Sequence, residues 1–185
     1  MQNQQIAALF EELADLLEIQ GANAFRVRAY RNAARTLENL SESAADILAT
    51  AGRSLTDLDG IGKDLAAKIE TIVRTGRLPQ LDELRAEIPV GVSEMLRIPG
   101  LGPKKVAALF HELGVKTLPD LKAACESGRV AELKGFGAKT AQTILEGIQH
   151  VEEAGHRVLI SIASASAEEI VADLRQLASV SQVSV

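Results

Sequence analysis

Apolar residues recur along this chain at helical spacing, in short blocks that end on glycine or on a small polar residue. Ile6, Leu9, Phe10, Leu13, Leu16 and Leu17 share one face with acids between them, which predicts a helix over residues 4–18. The Gln20-Gly21-Ala22-Asn23 stretch breaks it, and Asn23 is suited to cap the next helix. Over 24–40 the expected buried stripe is Phe25, Ala29, Ala33, Thr36 and Leu37, with Arg26, Arg28, Tyr30, Arg31 and Arg35 on the remainder. Ser41 or Ser43 caps a shorter helix through about Thr50, and Gly52 ends it. Leu55 and Leu58 then precede a glycine pair that feeds a helix carrying Leu65, Ala66, Ile69, Ile72 and Val73; Gly76 closes it. Leu78, Leu81 and Leu84 give a further helical face. Residues 1–87 therefore read as a four-helix module with short extensions, and Pro89 as its boundary.

The pattern continues differently over 90–150. Val92, Met95, Leu96 and Ile98 lead into a second glycine pair, followed by Val106, Ala107, Leu109 and Phe110. Leu118, Leu121 and Val130 prepare a third, which feeds a helix with Ala141, Ile144, Leu145 and Ile148. These are two tandem units with an approximate apolar repeat. The tail, 155–185, changes character: strand, helix and strand are expected over 157–162, 167–178 and 180–185. Two strands and one helix make no independent domain, so a partner completes the sheet or the sequence is a fragment; the fragment is the expectation. The fold class expected is mainly α, ending in an incomplete α/β segment.

Three signatures punctuate this plan: Asp59-Gly60-Ile61-Gly62-Lys63, Pro99-Gly100-Leu101-Gly102-Pro103-Lys104-Lys105 and Lys134-Gly135-Phe136-Gly137-Ala138-Lys139. In each, the first glycine suits a backbone conformation costly to other residues, and the second lets the helix start close to a neighbouring backbone. Ile61, Leu101 or Phe136 pins the hairpin into the core. Amides of the following helix terminus then converge on an anion, and Lys63, Lys104, Lys105 and Lys139 add charge beside them. Such a device reads backbone and shape, because nothing in it addresses a base edge. The plainer alternative is a tight helix–helix turn repeated three times. A nucleotide-binding loop is excluded by the absence of Gly-x-x-x-x-Gly-Lys-Ser/Thr and of Gly-x-Gly-x-x-Gly after a strand.

Charge sharpens this picture. The 185 residues carry a formal net charge of −5, which argues against grip by bulk electrostatics. Only 91–150 is net positive, with 8 Lys and Arg against 6 Asp and Glu. Local ligands must therefore do more than global attraction. Aromatic residues are 3% of the chain, so aliphatic side chains fill the core. The single cysteine, Cys125, excludes an internal disulfide, and a reducing cytoplasm is the simplest compartment. No run is long enough for a membrane span. Cys125, His111, His150 and His156 lack the spacing of a transition-metal site.

The order of these features resembles the N-terminal part of a bacterial family X, polymerase-beta-like, DNA polymerase. The resemblance rests on Phe25-Arg26-Val27-Arg28-Ala29-Tyr30-Arg31-Asn32-Ala33-Ala34, on Gly60-Ile61-Gly62-Lys63, and on Ile98-Pro99-Gly100-Leu101-Gly102-Pro103-Lys104-Lys105. It implies a lyase-type helical domain over 1–87, helix-hairpin-helix fingers over 90–150, and the start of a palm over 155–185. DNA is the implied partner, gapped or nicked, with the small domain on the 5′-phosphate side of the gap; the expected DNA-binding hairpin residues are Gly60, Gly62, Lys63, Gly100, Gly102, Lys104, Lys105, Gly135, Gly137 and Lys139. The family's Schiff-base lysine falls on Lys68, and its tyrosine and a basic residue on Tyr30 and Arg26; Arg31, on the same arginine-rich helix, is also expected to contact DNA. Tyr30 either stacks on a terminal base or sugar, or seals the core edge. Four residues before Lys68, where eukaryotic members often carry a phosphate-binding lysine, this chain has Asp64.

The resemblance also implies Na+ or K+ sites at the carbonyls of Thr56, Leu58 and Ile61, and of Leu96, Ile98 and Leu101. Nucleotidyl transfer needs paired carboxylates around Mg2+ or Mn2+, and the chain ends where the family's palm aspartates would begin. Glu168, Glu169 and Asp173 sit on the preceding expected helix and are not candidates. The expectation is a monomeric DNA-repair polymerase's front portion that recognises gaps without polymerising, with lyase activity at Lys68. The alternative is a noncatalytic helix-hairpin-helix DNA-binding or scaffold module.

Overall fold

The computed structural model describes residues 1–151. The expected α/β tail, with His156, Glu168, Glu169 and Asp173, lies outside them. Among the described residues the structure is helical and contains no strand. The helices are α1 (Asn3–Gln20), α2 (Ala24–Glu38), α3 (Ala44–Ala49), α4 (Lys63–Thr75), α5 (Pro79–Glu87), α6 (Val90–Glu94), α7 (Pro103–Leu113), α8 (Leu118–Glu126), α9 (Arg129–Glu132) and α10 (138–151). Short 3-10 turns at Leu55–Asp57 and Met95–Arg97 precede the first two hairpins.

α1 is the element on which the others pack. It meets α2 most extensively and also touches α4, α5 and α7. Coverage from several sides explains why Ile6, Ala7, Phe10, Leu13, Ala14, Leu16, Leu17 and Ile19 are all buried on one helix. Each fully buried Leu, Ile or Phe contributes about 1.5–3 kcal/mol relative to exposure, so α1 carries much of the core. Gly21, at φ 85°, ends the helix in the left-handed region, and Asn23 starts α2 by accepting from the Phe25 amide at 2.8 Å. Buried Asn3 ties α1 to the start of α3: its Nδ2 donates to the Glu42 carbonyl and its Oδ1 accepts from the Ala44 amide. Of the two serines suited to cap α3, Ser43 does so, accepting from the Asp46 amide.

The buried face of α2 differs from the expected stripe. Val27, Tyr30, Ala33, Ala34 and Leu37 face the core, whereas Ala29 is exposed and Phe25 is 75% exposed. Positions 27, 30, 34 and 37 follow the 3-4-3 rhythm of a helix face; Ala33 and Leu37 are common to both stripes, and this phase wins because Val27, Tyr30 and Ala34 present more apolar surface than Phe25, Ala29 and polar Thr36 would. The Tyr30 ring stands edge-on to Phe10, with centroids 5.5 Å apart.

Residues 90–150 are joined to the first part by direct packing. α7 lies on α1, and the His111 imidazole Nε2 is 2.7 Å from the Ile19 carbonyl oxygen near the end of α1. Two close approaches shape this second part. A Cβ on Gly91 would stand 2.5 Å from the Lys116 carbonyl oxygen and 2.9 Å from Thr117 Cα. A Cβ on Gly147 would stand 2.6 Å from Ile98 Cγ2, so α10 rests against the residue just before the second hairpin. Cys125 is buried, and burial, helped by Glu126, pushes its thiol up to about 11, which makes it a packing residue rather than a reactive one.

Because backbone cannot yield as a side-chain tip can, Gly91→Ala is expected to destabilise the fold by about 1–3 kcal/mol in urea unfolding. Ala at the unobstructed Gly62 should change stability far less.

Candidate phosphate-binding hairpins

The three hairpins share one backbone geometry. Gly60, Gly100 and Gly135 have φ of 76°, 82° and 85°, in the left-handed region. The next residue then donates its amide three residues back: Ile61 to the Leu58 carbonyl at 3.1 Å, Leu101 to Ile98 at 3.0 Å, and Phe136 to Leu133 at 3.0 Å. Ile61 and Leu101 are 3% exposed, and Phe136 is half-buried against the same core. The intervening apolar residue therefore anchors each loop.

The second glycines hold a different role from the one expected. Gly62 and Gly102 sit at the N-caps of α4 and α7 with φ of −79° and −84°, conformations open to any residue. A Cβ at Gly62, Gly102 or Gly137 would meet nothing within 4 Å. They make no room for a neighbouring backbone of this chain. What a side chain there would obstruct is the outward approach to the helix start, and glycine also brings no side-chain acceptor to the first-turn amides.

Lys63, Lys104 and Lys139 are exposed beside these loops. Lys105 is half-buried: its Nζ donates to the Gly100 carbonyl at 3.0 Å and lies 5.7 Å from the Phe136 ring centroid. It braces the second hairpin against the third. A cleft of about 240 Å³ between them is bordered by Pro99, Gly100, Lys105, Lys139 and Thr143. A second cleft, about 440 Å³, separates the second hairpin, with Lys104 and Lys105, from Glu18 and Arg31 of the first part. Among the described residues no group of three His, Cys, Asp or Glu side chains is placed to hold a metal, and no helix is long and apolar enough to cross a membrane.

The arginine-rich helix divides in two. Arg31 faces inward over α1, 2.9 Å from Asp15 and 2.7 Å from Glu18, with Glu11 at 3.9 Å. Its charge is spent on three carboxylates. Burial raises the pKa of Asp15 against the opposing pull of Arg31, and burial together with Asp15 raises that of Glu11. Tyr30 is 2% exposed and its hydroxyl pairs with the Gln80 side chain at 3.0 Å, so of its two readings the structure gives the core seal and presents no ring face for stacking. Arg26 and Arg28 are exposed and make no ion pair among the described residues; the Arg28 guanidinium lies 4.9 Å from the centroid of exposed Phe25. The sequence pattern passed over Phe25 as core. The phase of Val27, Tyr30, Ala34 and Leu37 was the available signal that it lies outside.

Lys68 follows the first hairpin by one and a half turns of α4. Its side chain is 22% exposed, and its Nζ donates to Asp64 Oδ1 at 2.6 Å. The residue that departs from the resembled pattern is thus the one that engages the candidate nucleophile.

Comparison with known proteins follows the same division. Residues 1–78 match the family described as a helix-hairpin-helix domain, and residues 92–150 match the SAM-like helix-hairpin-helix tandem. Over 176 residues the chain is 36% identical to the DNA polymerase/3'-5' exonuclease PolX of Bacillus subtilis (strain 168), covering 95% of this chain and 30% of that protein. The chain therefore spans less than a third of this relative's length.

Arg31→Met leaves three neighbouring carboxylates without their cation and is expected to cost about 1–3 kcal/mol at pH 7. The folded-state pKa values of Asp15 and Glu11, already raised, then rise further above the unfolded ones, so protonation favours the folded state. The deficit against the unaltered chain should shrink as pH falls from 7 to about 4, measured by urea unfolding at both values.

Proposed function

For a chain related to PolX across 95% of its length, we propose that it is the DNA-positioning front portion of a family X DNA polymerase, acting in gap-filling repair. It holds gapped or nicked DNA through phosphate contacts at the three hairpins. The observation that carries this reading is their shared geometry: a left-handed glycine, an anchored apolar residue, and a second glycine that leaves the helix start unobstructed. Two helix-hairpin-helix matches cover the same segments and support this reading. First-turn amides provide donors, and Lys63, Lys104 and Lys139 add local charge to a chain that is acidic overall. The Ile61 and Leu101 carbonyls accept no hydrogen bond among the described residues, which leaves oxygen donors for Na+ or K+ between loop and phosphate. The chain acts as a monomer in the cytoplasm.

Lys68 is the proposed lyase nucleophile. Its unprotonated amine would condense with the C1′ aldehyde of an abasic deoxyribose, releasing water and forming an imine. The Asp64 pair must part before that attack. Asp64 also sets negative charge where a 5′-phosphate would approach, so the chemistry is slow in this chain. The same contact favours the second reading, a noncatalytic helix-hairpin-helix DNA-binding or scaffold module, in which Lys68–Asp64 is an ordinary pair along one helix face.

Two experiments separate these readings. Gly62→Ala with Gly102→Ala should leave the unfolding midpoint nearly unchanged yet weaken binding to a 5′-phosphorylated gapped duplex about tenfold by fluorescence anisotropy; unchanged affinity would remove the hairpins from the interface. Borohydride should trap an adduct with abasic DNA that Lys68→Ala abolishes and Asp64→Asn increases. No adduct in any of the three leaves the noncatalytic module.

A further inference from the structure

The chain passes from its first helical part to its second through Ile88 and Pro89 alone, and α7 packs on α1 across the junction. Among the described residues, one hydrogen bond or ion pair joins residues 1–88 to 89–151: His111 Nε2 to the Ile19 carbonyl at 2.7 Å. A carbonyl can only accept, so Nε2 carries the hydrogen. Ile19 lies in the last turn of α1, where carbonyls lack partners within the helix. The Gly21 amide takes Glu18 and the Ala22 amide takes Leu17, which leaves Ile19 to His111. The Phe110 ring, with centroids 4.9 Å apart, backs the imidazole. Beside it, Gln20 Nε2 donates to Glu87 Oε2 at 2.8 Å, just before the linker.

Apolar packing is non-directional and lets one helix slide on another, whereas a hydrogen bond fixes a point. That point lies far from the hairpin on α7: His111 stands about 12 Å from Pro103 along the axis at 1.5 Å per residue. At the hairpin end, a cleft of about 440 Å³, bordered by Glu18, Arg31 and Lys104, separates α7 from the first part. Contact at one end and a cleft at the other make α7 a lever. We propose that the His111–Ile19 bond is its pivot, which sets the spacing between the first and second hairpins and thereby the gap length the chain prefers. The proposal rests on the reading that the hairpins hold a DNA backbone. The first hairpin is tied to α1 through α4 and through α2, whose Thr36 Oγ1 donates to the Asp59 carbonyl at 3.1 Å. The second leads straight into α7. The α1–α7 contact is therefore the path that fixes one hairpin relative to the other. A fixed spacing matches the phosphates flanking one gap length; a loose pivot serves several lengths equally. His111 is a positioning residue and touches no DNA in this scheme.

Spin labels at Arg74→Cys in α4 and Lys122→Cys in α8, both exposed, with Cys125→Ala, read the distance between the two parts by pulsed electron resonance. The chain with His111 should give one narrow distribution. His111→Ala should broaden it markedly, and His111→Gln, which keeps an N–H donor, should restore it. Anisotropy against 5′-phosphorylated duplexes of graded gap length should show one preferred length, bound about fivefold more tightly than the shortest and longest. His111→Ala should flatten that preference and His111→Gln recover it. A broad distribution with His111 present overturns the pivot and spares the hairpins, as does an unchanged gap preference in His111→Ala. Equal losses in both variants assign the effect to the packing of the ring beside Phe110 and overturn it too. Failure of the unaltered chain to bind any of these duplexes, even with a narrow distance distribution, removes the hairpin reading and the gap-length role with it.

Discussion

The feature on which the site depends is a backbone angle rather than a side chain. Gly60, Gly100 and Gly135 each turn the chain through the left-handed region, and the amide that follows closes a bond to the carbonyl three residues back. A non-glycine residue in that region is strained by roughly 1–2 kcal/mol. The turn sets the direction in which α4, α7 and α10 leave, and hence where their first amides lie. The apolar residue at each tip transmits the core's rigidity to the loop, most fully at Ile61 and Leu101. Hairpin and core are therefore one mechanical unit, with α10 backing the second hairpin through Gly147 and Lys105 bracing it against Phe136.

Electrostatics then divides labour within an acidic chain. Several arginines are committed to carboxylates: Arg31 to Asp15 and Glu18, Arg53 to Glu42, Arg85 to Glu12. These pairs join elements distant in sequence and hold the first part together. The cations without an ion pair among the described residues include Lys63, Lys104 and Lys139 at the hairpin helix starts. A weak long-range field with well-placed local donors favours contacts that are geometric, and so sensitive to the shape of the backbone presented.

What the sequence made legible was what is local. Glycine spacing located all three hairpins, and the Asn23 cap and the Gly21 and Gly76 stops located helix ends, because each depends on a few adjacent residues. The tertiary facts were harder. Tyr30 in the densest arginine cluster suggested a surface residue, yet Phe10 and Gln80 from other helices enclose it. Phe25 was placed in the core because its stripe shares Ala33 and Leu37 with the true one; Val27, Tyr30 and Ala34 against Phe25, Ala29 and polar Thr36 decide the phase. Arg31 could not be separated from Arg26 and Arg28 without knowing that α1 turns Asp15 and Glu18 toward it. The second glycines were assigned to close packing, and the open space around them points instead to an outside approach.

The most direct test of this account is amide chemical-shift perturbation in the ¹⁵N-labelled chain titrated with a 5′-phosphorylated gapped duplex. The account predicts that the largest shifts fall on the first-turn amides Lys63, Asp64, Lys104 and Lys139 and on the glycines before them. Shifts confined to other surfaces, such as α5 or α8, with those amides unmoved while DNA is bound, would contradict it.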